Sequence, residues 1–287
     1  MVIVWQFCGV NLKPDMKKII CTTDFSRASS KVCRYAAQLA AQTGAELYLL
    51  HASHPSYTFN PDLQVMPVED VSVELYYQAR LKRLAARLTR LTEGTVYIEP
   101  VNRVGLAADV IAETTALFKP DLLLMSTVGQ LPRSPGVFGN VASEMIGKVT
   151  VPTMFVPPRA GFKPYENVYV GIDVTEKIDA VALQQMIDRL KAFKAVITIF
   201  TVVKNPEAPA VKEVTTRLRE MLHEYPHVID ITQGENFADA FLSHAHANKA
   251  DLLVVFPKQH NWLKRWLTVS NTEELVFRTG LPMIAIA

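Results

Sequence analysis

A chain of 287 residues, 49% hydrophobic and 20% charged, has material for two soluble domains of ordinary size, each with a sizeable core. Its 30 Lys+Arg nearly balance 28 Asp+Glu, leaving a net charge of +2. No global field therefore draws it to nucleic acid or to an anionic membrane, and no apolar run approaches the roughly 20 residues that span a bilayer.

The first fifteen residues (MVIVWQFCGVNLKPD) are apolar but lack a basic start and a small-residue cleavage site. They read either as a mis-called start ahead of Met16 or as a loose arm. Strand-like KKIICTT (17–23) ends at Asp24, Phe25 and Ser26, and Ser26 is a helix N-cap candidate. Val32, Tyr35, Ala36, Leu39 and Ala40 then recur at helical spacing up to Gly44. ELYLLHA (46–52) is the second strand, followed by a polar, Pro-containing loop over 53–71. Tyr77, Leu81, Leu84, Leu88 and Leu91 mark a long amphipathic helix, and TVYIEPV (95–101) is the third strand. A helix through Ala107, Val110, Ile111, Thr114 and Phe118 leads to DLLLMST (121–127), an apolar run of the kind found in buried parallel sheet. A glycine-containing loop, a helix near 140–148 and the strand VPTMFVP (151–157) close the unit.

The order then repeats. Strands NVYVGID (167–173), AVITIFTVV (195–203), HVIDITQ (227–233), DLLVVFP (251–257) and LPMIAIA (281–287) alternate with helices through Leu183–Leu190, Val211–Met221 and Ala238–Ala245. Asp24 matches Asp173 at an offset of 149, whereas KPDLLLM (119–125) and VPTMF (151–155) match KADLLVV and LPMIA at 130. The 53–71 loop, missing from the second copy, absorbs most of the difference. Alternating strands and helices imply parallel sheets covered on both faces. The expected boundary is the Pro- and Gly-containing PPRAGFKPYE (157–166), giving domains at 16–158 and 165–287.

Ligands of open α/β sheets sit beyond the carboxyl ends of the strands. In the first copy those ends carry Thr22, Thr23 and Asp24, then Ala52, then Gly105, then Ser126, Val128 and Gly129, with Gly139, Asn140 and Val141 opening the next helix. Glycines let backbone approach a phosphate, and free N–H groups at a helix start favour an anion.

These residues resemble the universal stress protein (UspA-like) family. Its members carry an Asp after the first strand and a G-x2-G-x9-G-[ST] loop after the fourth. This chain reads S-x2-G-x9-G-N there, and ICTTDFS, LLLMS and VPTMFV are also similar to that family. The resemblance spans nearly all of 17–287. It implies two tandem doubly wound parallel-sheet domains of the adenine nucleotide alpha hydrolase-like kind, paired through their last strands as an internal pseudo-dimer. It also implies a cytoplasmic, stress-regulatory role with ATP or a related adenine nucleotide bound in the first copy. Asp24 and the backbone of Ala52 would face base or ribose, and Gly129, Gly139, Asn140 and Val141 would cradle phosphates. The alternatives are a scaffold of the same fold that binds no nucleotide, and a slow ATP hydrolase. A homodimer or an unidentified protein partner stays open.

In the second copy the aligned positions are Pro257, His260, Ser270 and Asn271, and Trp262 and Trp266 lie among them. Proline offers no N–H and indoles would fill a triphosphate's space, so no ATP is expected there. The basic and aromatic residues of 258–266 read as a packed lid rather than a nucleic-acid surface. His244 and His246 sit two apart on a helix and point away from each other, which disfavours a metal site. His51 reads as a hydrogen-bonded histidine at the sheet rim. Cys8, Cys21 and Cys33 lack CxxC spacing, so neither a disulfide framework nor zinc is expected. Arg133 and Ser134 read as an exposed loop, and no catalytic residue is identified, since GxSxG, HExxH and GxxxxGK[ST] are all absent.

Overall fold

A computed structural model describes residues 16–54, 56–59, 65–68, 70–128, 140–146, 148–172, 174, 180–255 and 280–286. The first half runs β1 (Lys18–Thr22), α1 (Arg27–Thr43), β2 (Glu46–Ser53), β3 (Ser56–Phe59), β4 (Val65–Val68), α2 (Val71–Leu91), β5 (Ile98–Val104), α3 (Ala107–Phe118), β6 (Leu122–Ser126), α4 (Asn140–Met145) and β7 (Thr153–Val156). The second runs β8 (Asn167–Gly171), α5 (Ala180–Lys191), β9 (Val196–Val203), α6 (Pro209–Leu222), β10 (His227–Gln233), α7 (Phe237–Ala247), β11 (Leu252–Val255) and β12 (Met283–Ala285). No described helix is long and apolar enough to cross a membrane.

Ten strands form one sheet in the order β10-β9-β8-β11-β12-β7-β6-β1-β2-β5. The order reads the same from either end once each strand is replaced by its counterpart. Every pairing is parallel except the central one, where Met154 faces Ile284 across the antiparallel β7–β12 junction. The two halves are thus related by a pseudo-twofold axis normal to the sheet, and their carboxyl edges point in opposite directions. The anticipated pairing of the last strands within one chain is what the structure shows.

A twofold normal to the sheet maps each face onto itself, so each face has one core shared by both halves. Side chains alternate between faces along a strand. Ile19 and Cys21 join Leu124, Val168 and Val170 on the face of α1, α2, α5 and α6. Ile20, Leu123 and Tyr169 join Phe155 and Phe200 on the face of α3 and α7. Contacts between the halves extend beyond the strands. The buried Tyr35 and Tyr165 hydroxyls lie 2.5 Å apart, and Gln42 donates to the Phe193 carbonyl.

The repeat holds at the level of single hydrogen bonds. The Asp121 carboxylate accepts from the amides of Lys17 and Lys18, at 2.7 and 2.9 Å. Asp251 does the same for Glu166 and Asn167, at 2.8 and 2.9 Å. Each carboxylate pins the start of its half's first strand. Lys119 and Lys249, just before them, both take left-handed backbone, at φ +46° and +54°.

Two elements depart from the sequence expectation. The segment expected as a bare loop contains the antiparallel β3–β4 hairpin, pairing Ser56 with Val68 and Phe59 with Val65. The third strand spans Ile98–Val104 rather than 95–101, and it holds Pro100 because it lies at the sheet edge. On α2, Leu81 and Leu88 are buried as expected, whereas Leu91 is exposed.

Candidate functional site

Chain order in the first half leaves β1 for β2 and β5 on one side, then returns to β6 and β7 on the other. The direction reverses between β1 and β6, and such a switch point opens a crevice beyond the carboxyl ends. The structure brings Thr22–Asp24, at the end of β1, beside Ser126–Val128, at the end of β6. Pairing of β1 with β2 stops at Thr22↔Leu50, so Ala52 projects past β1 along the same edge. Gly105 follows β5, its amide donating to the Ser53 carbonyl at 2.9 Å. Its φ of +150° and a virtual Cβ only 2.8 Å from Val110 Cγ2 exclude a side chain. Asn140 opens α4, with Val141 half-buried behind it. Gly129 and Gly139 lie outside the described residues, as do Arg133, Ser134, Asp173 and the whole of 256–279 with Pro257, His260, Ser270 and Asn271.

Several of these side chains already serve the turn. Ser26 caps α1 by accepting from the Ser29 amide, and the Asp24 carboxylate accepts from the Ser26 amide at 2.9 Å. The Thr23 hydroxyl accepts from the Phe25 amide and meets the Ser29 hydroxyl at 3.2 Å. Thr22 donates toward the Leu124 carbonyl, tying β1 to β6. Ser126, which stands where a glycine is typical of the resembled family, accepts from the Val128 amide at 3.2 Å. A glycine could not make that turn-closing bond.

Three features were not anticipated. Phe25 adopts φ +60°, a strained conformation for an aromatic residue and one that clusters at functional sites. Its ring stacks on Tyr77, tilts against His51 and lies under the Arg80 guanidinium, 4.2 Å from the ring centre. Finally, Asn102 Oδ1 and Thr127 Oγ1 are buried with no hydrogen-bond partner among the described residues. Phe25 adjoins Asp24 in sequence, but nothing in the chain places Tyr77 and Arg80 over it.

His51 is hydrogen-bonded as expected, through Nδ1 to the Thr23 carbonyl at 2.8 Å. A carbonyl partner makes Nδ1 the donor, so Nε2 carries the lone pair, and it is buried without a partner among the described residues. Burial lowers the pKa of His51, against the opposing pull of the Thr23 carbonyl and of Asp24.

His244 pairs with Asp230 at 3.0 Å and lies against Phe200, whereas His246 is exposed. Cys21 and Cys33 are buried free thiols with sulfurs 3.8 Å apart.

At the corresponding edge of the second half, β8 ends in Gly171, the counterpart of Thr22. A Cβ there would stand 2.9 Å from the ring of Phe237, which packs with Phe200 and Phe241. The first half has Ala107 at the Phe237 position. Thr201 replaces His51, and its hydroxyl is buried without a partner among the described residues.

Residues 16–157 match the universal stress protein family. Among solved structures, a universal stress protein from Archaeoglobus fulgidus DSM 4304 superposes over 94% of this chain and 98% of its own, with TM-score 0.69 at 14% identity. A functionally unknown protein from Pseudomonas aeruginosa PAO1 superposes over 96% of this chain and 94% of its own, with TM-score 0.56 at 16% identity. At these identities the likeness is one of fold, and it extends through both halves. A comparison with curated proteins finds no match. Through residues 16–157, the chain belongs to the universal stress protein family.

Proposed function

We propose that the first half binds ATP or a related adenine nucleotide in the crevice between β1 and β6, in a stress-regulatory rather than a turnover role. The observation that carries this reading is the switch point itself, where the ends of β1 and β6 bring Asp24 beside Ser126 and Val128. The donor set suits such a ligand. Asp24 supplies a carboxylate for ribose hydroxyls or base nitrogens, and the start of α4 at Asn140 supplies free amides for phosphate. Buried polar atoms with no partner among the described residues, Thr127 Oγ1 just past β6 and Asn102 Oδ1 on β5, favour a polar occupant over an apolar one. In this reading Ala52, Gly105, Gly129, Gly139 and Val141 contribute backbone, while Thr22 and Thr23 shape the turn that presents Asp24. In the same reading the domains are 16–158 and 165–287, and the second would carry no nucleotide. The Phe237 ring over Gly171 supports that asymmetry.

Calorimetric titration with ATP tests the proposal. Binding that Gly139→Glu abolishes and Ser270→Glu leaves intact is the expected result. Undetectable binding at millimolar ATP sinks it and leaves the scaffold reading. Phosphate release above background, lost on changing Asp24 or Asn140, would move the protein into the enzyme class.

A further inference from the structure

The near-neutral total charge conceals a segregation of charge between the two faces of the first half. Helix α1 contains three basic residues and no acidic one, and α2 contains five basic residues against Glu74 alone. On the opposite face, α3 and α4 contain Asp109, Glu113 and Glu144 and no basic residue. Lys148 meets two of these three acids, at 2.8 Å each. The counterparts of α1 and α2 in the second half are far less one-sided: α5 carries Arg189 and Lys191 with Asp188, and α6 carries Lys212, Arg217 and Arg219 with Glu213 and Glu220.

The basic residues are arranged in two rows. Arg27, Lys31 and Arg34 follow one another at spacings of four and three along α1, and Arg83, Arg87 and Arg90 repeat those spacings along α2. All six are exposed. Among the described residues none of the six is in an ion pair, and Lys31 donates only to the Pro158 carbonyl. Spacings of three and four put each row on one helix face. The helices pack side by side, so the rows run roughly 10 Å apart. Each row is about 10 Å long from its first to its last residue. Asp70 and Glu93 lie only at the two ends of α2.

We propose that this α1–α2 face binds the phosphate backbone of a nucleic acid without reading its sequence. Five of the six cations are guanidiniums, whose planar fork suits phosphate oxygens bidentately. The α2 row continues toward its N-terminus through Arg80 to Tyr76, which is 56% exposed and offers a ring for a base to stack on. A membrane surface fits less well. Docking on a bilayer needs large apolar side chains among the charges. Of the exposed aliphatic residues of α2, Val71 and Leu75 lie at its N-terminal end, about 100° or more around the helix from the row, and only Leu91, at the last turn, borders it. The proposal does not rest on the nucleotide reading, since none of the six residues belongs to the β1–β6 crevice.

Fluorescence anisotropy of the full chain with a labelled mixed-sequence DNA duplex and a labelled single strand, read against salt, tests the proposal. Neutralising about six phosphates predicts a loss of about 10³-fold in affinity between roughly 50 and 200 mM salt. The triple variant Arg83→Glu/Arg87→Glu/Arg90→Glu should weaken binding at low salt by at least about 100-fold and cut the salt slope by about three. Arg27→Glu/Lys31→Glu/Arg34→Glu should do the same from the other row. Arg217→Glu/Arg219→Glu on α6 should leave binding within about threefold, and thermal melts establish that each variant is folded. Binding to neither nucleic acid overturns the proposal. So does equal loss in the α6 control, or retention of vesicles containing phosphatidylserine without binding to either nucleic acid.

Discussion

At the end of β1 the first half carries Thr22, and the opening position of α3 is Ala107. At the end of β8 the second half carries Gly171, and the opening position of α7 is Phe237, whose ring occupies the space above that glycine. The strands beneath are equivalent to the residue, since the amides of Thr23 and Ile172 donate to the matching carbonyls of Leu50 and Phe200. Duplication has therefore kept what holds the sheet and let the crest diverge. The kept parts include the Asp121 and Asp251 anchors, the left-handed lysines before them and the Gly105–Gly234 pair. The same contrast holds on the surface, where α1 and α2 carry eight basic residues against one acidic and α5 and α6 carry five against three.

The largest effect should come from the part the halves share. Phe155 is fully buried beside the central junction, and Phe155→Ala should cost about 3–5 kcal/mol. Because both faces have cores common to both halves, urea denaturation should show one transition shifted as a whole. Two separated transitions would break the picture of a shared core.

The anchors come next. Asp251 is 4% exposed and pairs with Lys163 in addition to its two amides. Burial pushes its pKa up, but Lys163 and the two amides outweigh burial and hold it below the ordinary carboxylate range. Asp251→Ala should cost about 2–3 kcal/mol by leaving those donors without their acceptor. Asp121→Ala, in a more exposed setting, should cost about 1 kcal/mol. Equal losses in denaturant would show that Lys163 and burial contribute nothing.

Glycine at the crest separates the halves more gently. Gly105→Ala combines a positive φ with a 2.8 Å clash and should cost about 1–3 kcal/mol. Gly234→Ala meets Val202 Cγ1 at 3.2 Å and should cost under about 1 kcal/mol.

The smallest effect concerns His51, whose counterpart is Thr201. Its pKa is lowered on folding, so the unfolded chain binds the proton more readily. The associated stability is complete above the unfolded value of about 6.5 and is lost as pH falls through the folded value. Between pH 7.5 and 5, His51→Gln should therefore lose less melting temperature than the parent protein.

Much of this fold is legible in the chain. Continuous apolar runs gave the buried strands, 3.6-residue spacing gave the helices, and Ser26 and Gly44 cap α1 as their residue types require. The pairing of the last strands, seen at β7–β12, followed from the family resemblance rather than from the repeat register. Legibility failed where partners are remote or patterns weak. The Asp121 anchor joins residues 104 apart. In the β3–β4 segment each strand is only four residues long, and β4 (VMPV) carries a proline and no alternation; β5 reads as an ordinary strand until its edge position explains Pro100. At the site, the positions could be read from the sequence but the hydroxyl commitments of Thr23 and Ser126 could not. Both depend on the path the backbone takes around the turn. The aromatic cover over His51 was equally invisible, because Tyr77 matches a helix core position by spacing alone.

The central claim is that one half of a duplicated fold binds a nucleotide and the other does not. Native mass spectrometry of the full chain in excess ATP tests it most directly. The account predicts a single added nucleotide per chain, lost in Gly139→Glu and kept in Ser270→Glu. Two nucleotides per chain, or a single one that survives Gly139→Glu and disappears with Ser270→Glu, would contradict it.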